Sequence, residues 1–168
     1  MPRDIPVGNG ELLITLDRLY RIRDVYYPRV GRYNHTAGHV QRFGVWADGR
    51  FAWIEEDSWK RELLVTDVRL VNEMLGLEII CHDAVDSHYP VYFRKFIVHD
   101  LARRPRDVRL FMHVDLSIAE TAVGDTANYD PATSGVVFYK QDNYFLLNAC
   151  DAHKRGIDHW AIGTKRVG

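Results

Sequence analysis

Residues 108–118 read Val108-Arg109-Leu110-Phe111-Met112-His113-Val114-Asp115-Leu116-Ser117-Ile118. Val108, Leu110, Met112, Val114, Leu116 and Ile118 alternate with a mixed set, a period of two rather than 3.6. In an extended chain, alternate side chains point to opposite faces, so this pattern predicts one long, half-buried antiparallel strand. The same period recurs on either side. Phe43–Trp46 and Phe51–Ile54 flank Ala47-Asp48-Gly49-Arg50, and Asp-Gly supplies the positive φ angles of a tight hairpin. Further hairpins are expected at Glu11–Leu16 with Tyr20–Tyr27, turning near Asp17-Arg18, and at Gly135–Tyr139 with Tyr144–Asn148. The strands are rich in Val, Ile, Tyr, Phe and Trp, which suit a pleated surface packed on one side.

One stretch reads two ways. Leu64, Val68, Val71 and Leu75 fit a helical stripe. Leu75, Leu77, Ile79 and Cys81 alternate, Gly76 weakens a helix, and Asn72-Glu73 can turn a hairpin, so two strands are the better reading. From Ser117 to Ser134 the pattern fades into Gly, Asn, Asp and Pro, the mark of a long loop. The expected fold is all-β: a single antiparallel β-sandwich over residues 1–168.

Composition narrows the function classes. Hydrophobic residues make up 46% of the 168-residue chain and charged residues 27%, the balance of a globular protein rather than a disordered one. The 22 basic and 23 acidic residues nearly cancel, leaving none of the basic excess that nucleic-acid binding requires. Arg103, Arg104 and Arg106, broken by Pro105, read as a solvated turn between strands. Cys81 and Cys150 are too few for a disulfide scaffold and lie among apolar residues, so both are expected as buried free thiols. No apolar run is long enough to span a bilayer and the N-terminus has no signal-peptide core, so a cytoplasmic, membrane-free protein is expected.

Candidate chemistry is sparse. His35 and His39 in NHTAGH have a zinc-like spacing, but Gly38 disfavours a helix there and no glutamate follows the first histidine; a hydrogen-bonded loop is the better reading. His82-Asp83 and His99-Asp100 resemble base–carboxylate pairs, yet neighbours on a strand face opposite ways. Glu55-Glu56-Asp57 reads as a solvated acidic turn. There is no nucleophile elbow, and Gly8-Asn9-Gly10 launches a strand rather than a phosphate-cradling helix. No catalytic residue, metal ligand or cofactor site is assigned. Trp46 and Trp53 are expected to pack in the core or an interface, with Trp59 left open.

Taken as a whole, residues 5–54, from IPVGNGELLITL to the DVYYP run at Asp24–Pro28, the loop with Gly31, Asn34, His35 and Gly38, and Phe43-Gly44-Val45-Trp46 before Asp48-Gly49, resemble the start of prokaryotic glucoamylase- and glucodextranase-type enzymes of glycoside hydrolase family 15. LVTDVRLVNEMLGLEIICHDAVD (64–86) and PVYFRKF (90–96) extend the likeness over most of the chain. The resemblance implies a β-sandwich of the super-sandwich type, unfinished at Arg166-Val167-Gly168, standing before an (α/α)6 barrel that carries the catalytic glutamates of an inverting α-glucosidase. This chain alone is then a non-catalytic domain whose partner is that barrel, with α-glucans as the substrates of the whole. The loop bearing Arg32, Tyr33, Asn34, His35 and His39 is the candidate for the barrel contact or the substrate entrance. Exposed strand edges predict self-association of the isolated chain. Two other readings stay open. One is a stand-alone carbohydrate-binding or protein-interaction sandwich, marked by an exposed aromatic platform. The other is a small enzyme using a pocket of His82, Asp83, His99 or His113.

Overall fold

The computed structural model describes residues 4–63, 67–121, 123–153 and 156–164, and over them the chain forms thirteen strands and no α-helix. They are β1 (Ile5–Gly8), β2 (Leu13–Leu16), β3 (Ile22–Tyr26), β4 (Arg42–Ala47), β5 (Arg50–Trp53), β6 (Lys60–Leu63), β7 (Val68–Asn72), β8 (Leu77–Val85), β9 (Tyr92–Asp100), β10 (Val108–His113), β11 (Thr126–Asp130), β12 (Gly135–Lys140) and β13 (Asn143–Leu147). All pairings are antiparallel, in four sheets ordered β1-β2-β3, β10-β4-β5, β6-β7-β8-β9 and β11-β12-β13. The expected hairpins are present. Asp48 and Gly49 take φ of 52° and 79° at the β4–β5 turn, the two positive angles that a two-residue hairpin needs. The region read two ways is two strands, β7 and β8, joined by a turn at residues 73–76. Leu64, the first residue of the rejected helical stripe, lies outside the described residues, as do Ala122 and Arg166–Gly168.

The core is a layer between the β10-β4-β5 and β6-β7-β8-β9 sheets, closed at one side by β1-β2-β3. Phe43, Val45, Ala52 and Ile54 face Leu70, Leu77, Ile79 and Cys81, and Leu12, Ile14 and Leu16 join the same cluster. Phe43 of β4 meets Phe96 of β9 with ring centroids 4.9 Å apart. β4 therefore lies above the last strand of the four-stranded sheet, and β10, one strand further out, overhangs its edge. This overhang corrects the reading of the opening stretch. Leu110 and Met112 do share a face with buried Val45 and Phe43, but they are 42% and 39% exposed, with no strand of the described residues packed closely over them.

Other expectations need correction too. The strand expected to run to Ile118 stops at His113. Beyond it the Gln41 side chain takes the backbone of Asp115 from both sides, and Ser117 N donates to His35 O at 2.8 Å. Leu116 and Ile118 are still buried, but from a loop. The long loop expected at Ser117–Ser134 contains β11, a polar strand whose register comes from β12 rather than from its own pattern. Arg106 is not solvated: its side chain is 6% exposed and its guanidinium bonds Asp48, Asp100 and the carbonyls of Leu75 and Gly76. Cys81 is a buried free thiol, pushed up to about 12 by burial, while Cys150, three residues past the end of β13, is exposed.

Ile79 sits at the centre of the layer with no exposure. Ile79→Ala is expected to lower the unfolding free energy by about 2–5 kcal/mol in urea titration, with the slope unchanged.

Candidate functional site

The loop between β3 and β4 carries the residues singled out from sequence, and the structure divides them into an interior and a tip. Asn34 is the interior anchor. Its Oδ1 accepts from Val25 N, Thr36 N and Thr36 Oγ1, and its Nδ2 donates to Asp24 Oδ1 at 2.8 Å. Asp24 is itself buried. Burial acts to raise its carboxyl, but hydrogen bonds from Thr15, Arg23 and Asn34 outweigh that and hold it below the usual carboxylate range.

His35 is fully buried. Its Nε2 donates to Tyr27 O at 2.9 Å, and its Nδ1 accepts from Ala119 N at 3.2 Å, which requires the neutral Nε2–H tautomer. Its ring also packs against Phe145 at 4.7 Å, so the loop is tied to the β11-β12-β13 sheet. Burial pushes the His35 imidazole below its ordinary pKa. Arg32 and His39, in contrast, are exposed, and Tyr33 is half-buried with the Arg32 guanidinium 5.4 Å from its ring centre. His39 Nδ1 lies 3.1 Å from Asp115 Oδ2. The five candidates thus do not converge on one pocket. Two are structural, and three form the presented surface.

The histidine–aspartate pairs split as neighbours on a strand must. His82 points outward to Asp67 at 2.5 Å and His99 outward toward Glu78 at 3.8 Å. Asp83 points inward. It accepts hydrogen bonds from Tyr20 Oη and Tyr92 Oη, and from Arg94 Nε at 2.7 Å. The Arg94 guanidinium stands 4.2 Å from the Tyr20 ring centre and 5.4 Å from that of Phe43. Burial pushes both phenols up, so they act as neutral donors. His113 belongs to another sheet, so these four residues do not gather in one pocket.

The outward face of β10-β4-β5 is a grid that sequence reasoning did not assemble. Its first row is Arg109, Trp46 and Phe51; its second is Phe111, Gly44 and Trp53; and His113 and Arg42 lead to Glu55 beyond the end of β5. Gly44 is required at the centre, since a Cβ there would lie 2.4 Å from the Phe51 ring. Arginines cover both tryptophans: Arg42 lies 4.2 Å from the Trp53 ring centre and Arg109 lies 5.0 Å from that of Trp46. A sugar ring stacks on a free aromatic face, and these faces are taken. Arg42 also pairs with Glu55 at 3.1 Å, so the acidic turn is partly an anchor. Pairing register was the signal that could have found this grid. Trp59, left open from sequence, is in the core. Free flat aromatics lie elsewhere: Trp160 stacks on Tyr129 at 4.9 Å, and Tyr144 on Tyr139 at 5.9 Å.

An open cleft of about 340 Å3 lies where the turns at 47–50, 73–76 and 102–106 meet, but the Arg106 guanidinium at its wall is spent on holding those turns. Among the described residues, no group of three or more His, Cys, Asp or Glu side chains is arranged to hold a metal ion, and no helix is long and apolar enough to cross a membrane. No family model matches the chain, and no curated protein matches it in sequence.

The His35 geometry carries a pH dependence. The folded imidazole is depressed below the unfolded value of about 6.5, so its contribution is complete above that pH and is lost as pH falls through the folded value. Urea midpoints are expected to fall between about pH 7.5 and pH 5, and the part of that fall due to this ring to vanish in His35→Gln. An identical fall in both proteins contradicts the assignment.

Proposed function

We propose that the chain is a non-catalytic β-sandwich domain of an α-glucan hydrolase of the glycoside hydrolase family 15 type, serving the catalytic (α/α)6 barrel of the same polypeptide. The reading starts from the resemblance of residues 5–96 to that family. The observation that carries it is the division of the Arg32–His39 loop. Asn34, His35 and Thr36 are locked by hydrogen bonds to β3 and to the main chain at Tyr27 and Ala119, with the His35 ring against Phe145 of β13, and Arg32, Tyr33 and His39 are held out on that base. A polar tip on a pre-organised base loses little entropy on contact, which suits a surface that meets a second folded body or borders its substrate path. The most buried carboxylate–arginine pair, Asp83 with Arg94, is enclosed by aromatic rings.

A second reading, a carbohydrate-binding sandwich, is favoured by the stacked pairs Tyr129–Trp160 and Tyr139–Tyr144. Trp160 and Tyr144 are 52% and 65% exposed, and each offers one ring face that its stacking partner leaves free.

In the polypeptide that carries both the domain and the barrel, Arg32→Ala/Tyr33→Ala is expected to raise KM for a maltooligosaccharide about 3- to 10-fold. The unfolding midpoint should fall only slightly, because Arg32 is exposed and Tyr33 meets the loop interior through one edge contact with the His35 ring, centroids 6.2 Å apart. Unchanged KM and kcat would remove the loop from function. If adsorption to insoluble α-glucan then depends on Trp160 and Tyr144, the second reading replaces the first.

A further inference from the structure

Residues 117–121 are Ser117, Ile118, Ala119, Glu120 and Thr121, with no glycine among them, yet Ala119 and Glu120 both take positive φ, 55° and 62°. A Cβ disfavours that conformation, and two such residues in succession persist only where their surroundings hold them. The ends of the segment are anchored. Ser117 N donates to His35 O at 2.8 Å, Ile118 N to Asp125 Oδ1 at 3.2 Å, and Lys140 Nζ to the carbonyls of Ile118 and Thr121 at 2.9 and 2.6 Å. Between these anchors Ala119 and Glu120 form an arch tied to the base of the Arg32–His39 loop. Ala119 N donates to His35 Nδ1 at 3.2 Å, and Glu120 Oε1 accepts from Asn34 N at 2.9 Å.

We propose that this arch is an acid-released latch: neutral His35 holds Ala119 and Glu120 in their strained conformation across the base of the loop, and a proton on His35 Nδ1 lets them go. The proton turns the acceptor into a donor, so two N–H groups then face each other over the 3.2 Å now spanned by one hydrogen bond. The ring cannot turn aside. Nε2 still donates to Tyr27 O, and Phe145, Tyr33 and Tyr27 stand with ring centroids 4.7, 6.2 and 6.4 Å from it. The arch is the part that yields, because leaving its place relieves the two positive φ angles.

The titratable and charged groups around the ring are Tyr27 and Tyr33 on its own side, Glu120 and Asp125 from the 117–125 segment, and Lys140 of β12, whose ammonium holds that segment; β13 presents the uncharged Phe145. The two carboxylates favour the protonated ring, but burial opposes it more strongly, so the latch is closed at neutral pH and opens as pH falls. His39, the other histidine of the loop, is turned to Asp115 instead. Opening removes the ties at His35 Nδ1 and Asn34 N and leaves those to β3, so the loop tip loosens while the sheets stay paired. As regulation of the Arg32–His39 loop the latch rests on the functional reading above; its chemistry is measured without a barrel or a glucan, so either can fail alone.

The test is amide hydrogen exchange by NMR on the whole chain between about pH 7.5 and pH 5, corrected for the intrinsic pH dependence of exchange, with the His35 ring nitrogens followed in the same samples. Protection of the Ala119 amide is expected to fall at least about tenfold at the pH where Nδ1 takes up its proton, while the core amide of Ile79 keeps its protection. Ala119→Gly, which removes the strain at that position, should move the fall to lower pH, a shift that a merely structural histidine would not produce. His35→Gln should abolish the fall; if that variant does not fold, the wild-type titration and the Ala119→Gly shift decide the matter. Protection at Ala119 that stays constant while the ring titrates overturns the proposal. So does an equal loss at Ile79, which is global unfolding, or a fall that persists in His35→Gln.

Discussion

The Asp83 carboxylate stands where three of the four sheets meet, and groups from each of them keep its charge satisfied. Tyr20 reaches it from the turn after β2, Tyr92 and Arg94 from β9, and the Arg94 guanidinium lies against Phe43 of β4. The pair is nearly removed from solvent, with side chains 8% and 6% exposed. A buried ion pair adds little net stability compared with well-packed apolar residues, but it strongly penalises any arrangement that separates its members. That asymmetry makes it a device for register. If β9 slipped against β8 by one residue, Arg94 would face solvent and Asp83 would lose its cation. The alignment of β9, and with it the overhang of β10, follows from this centre.

The same physics explains why the β3–β4 loop is rigid. Its main chain dips inside at His35 and Thr36, so the polar groups there must find partners. Asn34 and His35 supply them, and the neutral imidazole is the one form of histidine able to accept from Ala119 N while donating to Tyr27 O. The cost of burying these polar groups is met by a closed set of hydrogen bonds, which leaves the loop tip fixed in place. Two kinds of surface follow on one scaffold: a small polar tip around Arg32 and Tyr33, and an apolar edge along β9 and β10.

What could be read from sequence was what is local. The period-two runs gave the strands, and Asp48-Gly49 marked its hairpin, because the cause and the consequence lie within a few residues of each other. The long-range partners were not legible. His35 meets Ala119 across 84 positions, Asn34 meets Glu120 across 86, and Tyr20 meets Asp83 across 63. Asp83 was noticed only beside His82, whose side chain points the other way. Leu110 and Met112 carried a correct pattern for the inward face of β10, but a pattern cannot say whether another strand lies beneath. Arg106 reads as solvated because its neighbours in sequence are charged, whereas its partners are the Asp48 and Asp100 carboxylates and the backbone carbonyls of a different turn. In each case the missing information was which sheet lies against which.

Equilibrium unfolding of Asp83→Leu, alone and combined with Arg94→Met, tests this account most directly. If the carboxylate is the centre that the sheets share, the single change costs about 3–5 kcal/mol by leaving Arg94 buried without its anion, and the double change costs less than the single one. If Asp83→Leu costs under about 1 kcal/mol, as an exposed pair would, the sheets do not depend on this centre and the account is wrong.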